Sequence, residues 1–341
     1  MAKTTLKDIS KALNISISTV SKALSDSYEI SDRTKKLVQE YATEMNFSVN
    51  KVAQSLKIGK TNTIGVIVCA INNTFIAEIL DGIQKASIET GYDIIIMQSR
   101  EDILVEKSCI EVLNARGIDG LLISPVSETS NITLLKELQE SGKPVVIFDR
   151  TVNQLKTDKV GVNNFDGAYK ATKHLIEQGR TNILHITGHQ LGVSKDRLNG
   201  YKEALREFNI PLNPYYFIEC NIQDTEILDQ QIKNAIQKTL NSEIKLNAIF
   251  GATDVITTRT LGILADLNIK VPEEIAVIGF SNISIPSSLN PALSRVKQPA
   301  SKIGHIAMTK LIYLIKHPAY TEFETIELEN TIEIRKSSLL T

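Results

Sequence analysis

Few residues of this 341-residue chain are set for covalent or metal chemistry, and those set for recognition stand out instead. Cys69, Cys109 and Cys220 are far apart, odd in number and without C-x-x-C spacing, which reads as separate thiols in a reducing compartment. His174, His185, His189, His305 and His317 never fall at metalloprotease or zinc-finger spacing. His185 and His189 are four apart, but a strand followed by a glycine turn explains them better than a metal site. No G-x-x-x-x-G-K-[ST], G-x-S-x-G or dinucleotide-binding glycine pattern is present, and no nucleophile has an evident base. Neither an enzyme nor a cofactor is expected. By contrast, Ser16-Ile17-Ser18-Thr19-Val20-Ser21-Lys22-Ala23-Leu24 places small hydroxyls and one long cation at the start of a short helix. That composition suits a recognition helix whose first turns meet base edges in the major groove, or else a polar helix in a small structural bundle.

The elements that must position these residues follow from periodicity. Leu6 to Leu13, Ser18 to Leu24 and Asp32 to Met45 carry apolar residues at helical spacing, with Ser18 and Ser31 as expected N-caps and Val20, Ala23 and Leu24 toward a core. Residues 1 to 60 hold ten Lys or Arg against six Asp or Glu, so this head is basic while the whole chain has a net charge of −1.

From Thr63 onward, short Val/Ile-rich runs alternate with amphipathic helical stretches, the signature of βαβ units and parallel sheets. One series of strands runs through Ile64 to Cys69, Asp93 to Met97, Gly120 to Ser124 and Val145 to Phe148. A second begins at Val160 to Val162 and continues through Asn182 to Ile186, Tyr216 to Glu219, Ala248 to Phe250 and Ala276 to Gly279. Two lobes are implied. A late strand after Ser294, a helix from Ile303 to Ile315 and an alternating strand from Thr325 to Ile334 suggest that the chain crosses between them more than once. Charged residues interrupt the start and no apolar run approaches the roughly 18 residues needed to span a bilayer, so neither export nor membrane insertion is expected. The expected location is the cytoplasm.

Ordered along the chain are Thr5-Leu6-Lys7-Asp8-Ile9, Val20-Ser21-Lys22-Ala23-Leu24, Ile30-Ser31-Asp32-Arg33-Thr34 and Ala53-Gln54-Ser55-Leu56. Beyond these come Thr63-Ile64-Gly65-Val66-Ile67, Phe148-Asp149-Arg150, Arg197-Leu198-Asn199-Gly200-Tyr201 and Val277-Ile278-Gly279-Phe280. On these segments the sequence resembles the lactose-repressor (LacI/GalR) family of transcription regulators over essentially its whole length.

The resemblance implies a helix-turn-helix head over 1–46, a hinge helix and linker over 47–60, and a two-lobed effector and dimerisation module over 61–341 that is like periplasmic binding proteins. Its first lobe would comprise about 61–160 and 291–323, the second 161–290 and 324–341. It further implies a homodimeric repressor on a pseudo-palindromic double-stranded operator, controlled by a small sugar-like effector. Ile17, Ser18 and Lys22 would read bases, with Thr5, Thr19, Ser21 and Ser31 near phosphates and Ser16 also among the DNA-binding residues. Lys22 stands where many members have arginine, a point charge in place of a bidentate fork. In the hinge, Asn50 would join the DNA contacts, Ala53 would make the close contact between copies and Leu56 would wedge into the minor groove. Cleft positions fall on Asn73, Phe75, Asp149, Arg150, Arg197, Thr253, Ser281 and Gln298. Ser281 replaces the family's usual aspartate, which leaves one cationic group without its usual carboxylate, so an acidic sugar, clamped by Arg197, is expected. Asp254 reads as a helix N-cap. The rival with the same lobes is a sugar-binding module for transport.

Overall fold

The computed structural model describes residues 4–45, 47, 60–188, 192–222, 224–241 and 245–339. It divides into two compact units, Met1–Thr61 and Asn62–Thr341.

In the first unit, α1 (Leu6–Leu13), α2 (Ile17–Leu24) and α3 (Asp32–Glu44) pack around Ile9, Val20, Ala23, Val38 and Ala42. Thr5 closes a capping box with Asp8, accepting from the Asp8 amide while the carboxylate accepts from the Thr5 amide at 2.9 Å. The expected Ser18 cap is corrected: α2 begins one residue earlier, and Ser16 is its N-cap, accepting from the Thr19 amide at 3.0 Å. Two hydroxyls two residues apart both offer a cap, and the tight turn through Asn14 in the left-handed region decides for the first. Ser31 caps α3 as expected.

The second unit opens with β1 (Thr63–Val68), α4 (Thr74–Thr90), β2 (Asp93–Gln98), α5 (Ile103–Ala115), β3 (Gly120–Ile123), α6 (Ile132–Glu140), β4 (Val145–Phe148) and β5 (Lys159–Val162). It continues with α7 (Asn164–Glu177), β6 (Ile183–Gly188), α8 (Ser194–Glu207), β7 (Phe217–Cys220), α9 (Thr225–Leu240), β8 (Ala248–Gly251), α10 (Asp254–Asp266) and β9 (Ala276–Phe280). The last elements are β10 (Ser294–Lys297), α11 (Ala300–Lys316), β11 (Thr325–Leu328) and β12 (Thr331–Glu333). Two six-stranded sheets result, ordered β11-β5-β4-β3-β1-β2 and β12-β10-β9-β8-β6-β7. Every pairing is parallel except β10 with β12.

Both faces of each sheet are covered, which is why the strands read as continuous apolar runs. Ile64, Val66 and Val68 of β1 join the core under α4 and α11, while Ile67 points into the opposite core under α5 and α6. In the second sheet Phe250 and Ile278 face α7 and α8, whereas Ile249 and Val277 face α9 and α10. Gly304 on α11 lets this helix touch α4, since a Cβ there would lie 2.0 Å from the Ile79 carbonyl oxygen.

The chain crosses between lobes three times, after β5, β10 and β11. This corrects the expected lobe limits. β5, read as opening the second lobe, completes the first sheet beside β4; β10, expected in the first lobe, lies in the second sheet; and β11, expected in the second lobe, pairs with β5. The alternating run from Thr325 to Ile334 is two strands, one in each sheet. The alternation passes through Glu329 and Asn330 without a glycine or proline to break it, so periodicity does not show the change of sheet; there the Asn330 side chain donates to the Asn163 carbonyl at 2.7 Å and ties two crossings together. No helix of the described residues is long and apolar enough to cross a membrane.

Candidate functional site

Two surfaces carry recognition chemistry, one in each unit. On α2, Val20 and Ala23 are fully buried, which turns Ile17, Ser18 and Lys22 outward on one face at helical spacing; Ile17 is 46% exposed. An apolar side chain left in water beside hydroxyls and a cation is a surface that gains by meeting base edges and thymine methyls. Lys22 is held in an exposed ion pair with Glu29. The hydroxyl of Ser16 lies 2.8 Å from those of both Ser18 and Thr19, so these three form a cluster at the helix N-terminus. Thr5 and Ser31 are the N-caps of α1 and α3, and Ser21 lies within α2. Asn50, Ala53 and Leu56 lie outside the described residues.

In the second unit a cleft of about 300 Å³ opens between the lobes. It gathers residues beyond the C-terminal ends of parallel strands, where ligands of open α/β sheets bind: Pro125, Ser127 and Glu128 after β3, Asp149 to Val152 after β4, and Asn163 to Phe165 after β5. The start of α8 contributes Gly192, Val193 and Asp196, and β11 contributes Glu327. Asp149 is buried with φ +65°, a left-handed backbone that aims its carboxylate back under the cleft. It accepts from the Ser124 hydroxyl at 3.2 Å. Burial pushes its carboxyl up, against the opposing pull of Arg150 and Arg197.

Arg197 forms the floor. It is buried, its Nε donates to Asn164 Oδ1 at 2.8 Å, its Nη1 donates to the Ala252 carbonyl, and its guanidinium lies 3.6 Å from the Phe280 ring centre. Burial pushes Arg197 down to about 10, which leaves it charged at neutral pH. Its role is to fix Asn164, which does line the cleft.

Of the eight expected cleft residues, Asp149 and Arg150 line this cavity and Arg197 lies behind it; Asn73, Phe75, Thr253, Ser281 and Gln298 do not line it. Asn73 caps α4 by accepting from the Phe75 amide, and Phe75 belongs to the first-lobe core. Thr253 is the N-cap of α10, so the expected cap at Asp254 is corrected: Asp254 is the first helical residue and accepts from the Ser281 hydroxyl at 2.6 Å. Gln298 is clamped to Asn282, whose side chain also donates to Glu78 across the lobes at 2.6 Å.

The charge count behind an acidic effector also fails. Arg150 already has a carboxylate, because Glu101 accepts from its Nη1 at 2.7 Å and its Nη2 at 2.5 Å. Glu101 reaches it through two successive left-handed residues, Arg100 and Glu101, a turn that no local pattern announces. Asp254 beside Ser281 supplies a second carboxylate in place of the one missing at position 281.

Sequence reasoning missed Ser127, Glu128, Asn163, Asn164, Phe165 and Asp196. One signal for three of them was legible: Asn163 directly after a strand, with Asp166 three residues on, marks a capped helix start at a strand's C-terminal end. Phe165, 41% exposed, stacks parallel to Tyr169 with ring centres 6.4 Å apart and offers an aromatic face to the cleft. Among the described residues no group of three or more His, Cys, Asp or Glu is placed to hold a metal.

Comparison with known proteins agrees with this geometry. Residues 5–50 match the model of bacterial regulatory proteins, lacI family, and residues 172–338 match that of a periplasmic binding protein-like domain. The chain is 31% identical over 335 residues to the HTH-type transcriptional repressor PurR of Aliivibrio salmonicida, covering 98% of each chain. It is 32% identical over 335 residues to the ribose operon repressor of Haemophilus influenzae, again covering 98% of each. Its fold matches that of the Lac repressor dimer bound to operator and the anti-inducer ONPF with a TM-score of 0.86 at 21% identity, over 99% of this chain and 100% of that one.

Proposed function

This chain belongs to the LacI family of bacterial regulatory proteins, DNA-binding transcriptional repressors controlled by small effectors, and from that premise we propose how its residues divide the work. The outer face of α2 reads the operator, with Ile17, Ser18 and Lys22 at base edges. Thr5, Ser16, Thr19, Ser21 and Ser31 hold the neighbouring phosphates. Asn50, Ala53 and Leu56 complete the contact through the minor groove.

The chain acts as a homodimer on a pseudo-palindromic site. β2 is an edge strand with Ile96 exposed, and Ile103, Leu104 and Val112 of the following helix are exposed as well. An apolar edge of this kind is costly in water and is covered by a second copy.

The effector is a sugar-type polyol held in the cleft between the lobes. The observation that carries this reading is that one cavity collects a desolvated carboxylate, Asp149, from the first lobe together with Asn164 and Asp196 from the second and the aromatic face of Phe165. Such a set accepts paired hydroxyl hydrogen bonds and stacks on a sugar face. A ligand that touches both lobes favours one lobe arrangement over another, and only such a difference in affinity changes operator binding.

Selection of bound duplexes from a random library with the full chain, followed by a sugar panel added to the selected operator, tests the whole reading. Enrichment of a palindrome whose occupancy responds to a sugar, and loss of that response in Asp149→Asn and Phe165→Ala, is the expected result. Retention of the response in both variants would place the effector elsewhere.

A further inference from the structure

The cleft carries an unusual charge arrangement. Its lining includes four carboxylates, Glu128, Asp149, Asp196 and Glu327, and one cation, Arg150. That cation is spoken for. Its Nη1 donates to Glu101 at 2.7 Å and lies 3.3 Å from both the Pro125 and the Val126 carbonyl oxygens, and its Nη2 donates to Glu101 at 2.5 Å. The side chains of Arg150 and Glu101 are 8% and 20% exposed, so water does little to weaken their attraction. Burial works against the Arg150 charge, yet the Glu101 bridge overrides it and holds the guanidinium above its ordinary range. The bridge is a built feature: it requires left-handed backbone at Arg100, φ +51°, and at Glu101, φ +59°, a conformation that costs a non-glycine residue about 1–2 kcal/mol.

We propose that Glu101 is a specificity-determining residue of the effector cleft: by occupying Arg150, the one cation beside four lining carboxylates, it removes the group that an anion would bind and leaves the cleft to select an uncharged, hydroxyl-bearing ligand. Arg150 retains an Nη2 hydrogen as a donor to a neutral hydroxyl, but with Glu101 on its fork and Asp149 3.9 Å from its Nε it offers no net charge to a phosphate or carboxylate. Without Glu101, Arg150 would keep only the more distant Asp149, 3.9 Å from its Nε, and its fork would stand open to an anion, since a buried guanidinium that loses its hydrogen-bonded counter-charge recruits another. The proposal rests on reading the cleft as the effector site, and its test has an arm that does not.

That arm uses inorganic phosphate as the probe, with the full-length chain at constant ionic strength, and follows thermal unfolding as phosphate replaces chloride. The wild-type midpoint is expected to stay unchanged. In Glu101→Gln the midpoint rises saturably, with phosphate affinity roughly tenfold or more above wild type. Glu101→Gln/Arg150→Gln loses that response. Wild-type protection equal to that of the variant, or a variant indifferent to phosphate, overturns the proposal. Should Glu101→Gln fail to fold without phosphate, recovery of the fold on refolding into phosphate supports it. Failure in both buffers, while the double variant folds, refutes it. A second arm compares D-ribose with D-ribose 5-phosphate by calorimetry. A gain for the phosphate ester in Glu101→Gln alone extends the result to the effector, whereas absence of heat from every sugar beside a positive phosphate arm counts against the effector reading and not against Glu101.

Discussion

His185 gives the second lobe a pH dependence whose size can be worked out. It is the third residue of β6, fully buried, and its ring lies 5.0 Å from Tyr201, 5.6 Å from Phe217 and 5.2 Å from Phe250, centre to centre. Neither ring nitrogen has a hydrogen-bond partner. Burial, reinforced by Arg197 and Lys202, pushes the imidazole down to about 3 from 6.5. Between those two values the unfolded chain binds the proton and the folded chain does not. The stability His185 allows is therefore complete above about pH 6.5 and falls as the pH drops toward 3. From pH 7 to pH 5 the loss from this one group is about 2 kcal/mol. Urea unfolding followed by far-UV circular dichroism at both pH values, on wild type and His185→Phe, isolates it. Other groups titrate in both proteins and cancel in the difference, and any overpacking by phenylalanine is the same at both pH values. Wild type is expected to lose about 2 kcal/mol more than the variant on acidification. Parallel losses would refute the reasoning, because they would mean that the buried ring takes up a proton without cost.

Four further outcomes follow from particular contacts. Since Lys22 is paired with Glu29, Glu29→Gln frees the cation for DNA and should raise operator affinity up to about tenfold, whereas Lys22→Ala should lose about 1–3 kcal/mol and relax preference at one base pair per half-site; gel-shift titrations against a base-substituted operator set read both. A Cβ at position 200 would lie 2.2 Å from the Phe165 carbonyl oxygen, so Gly200→Ala should cost about 1–3 kcal/mol by forcing α8 from α7, with sugar affinity falling alongside the unfolding midpoint because Phe165 moves. Ser281→Asp replaces a hydroxyl that donates to Asp254 with a second carboxylate at the same place; thermal unfolding should show a loss that grows from pH 4 to pH 7, and a variant as stable as wild type at pH 7 would contradict the geometry.

Much of the fold was legible because its signals are local. The three head helices, the strand series and the two-lobed class follow from periodicity and caps, and the head-to-module order from motifs in sequence. What failed required knowledge of partners. β5, β10 and β11 are four-residue strands with nothing in them to name a sheet, and the crossings are fixed by contacts such as Asn330 to Asn163, 167 residues apart. The site was legible at Asp149 and Arg150 but not at Phe165, because an aromatic next to a strand end is equally good as core, as Phe75 is. Glu101 was invisible for the same reason in sharper form: its partner lies 49 residues away, and the left-handed turn that delivers it uses arginine and glutamate instead of glycine.

These non-local contacts also explain why a small ligand can act on the whole module. Three chain crossings join the lobes, and polar ties reinforce them: Asn330 holds the crossing after β5 to the one after β11, while Asn282 binds both the Gln298 backbone beside the crossing after β10 and Glu78 on α4. These ties hold one side of the lobe interface together beside the crossings. The cleft spans the same interface, with Asp149 and Arg150 contributed by one lobe and Asn164 and Asp196 by the other. On the proposed reading, a polyol bridging those residues would be bound by four groups in one arrangement and by fewer in any other, and its differential affinity would set how far it shifts the lobes. Arg197 links the cleft to the second sheet: it ties Asn164 of the cleft to the Ala252 carbonyl at the end of β8, so the cleft wall and that strand share one hydrogen-bonded unit.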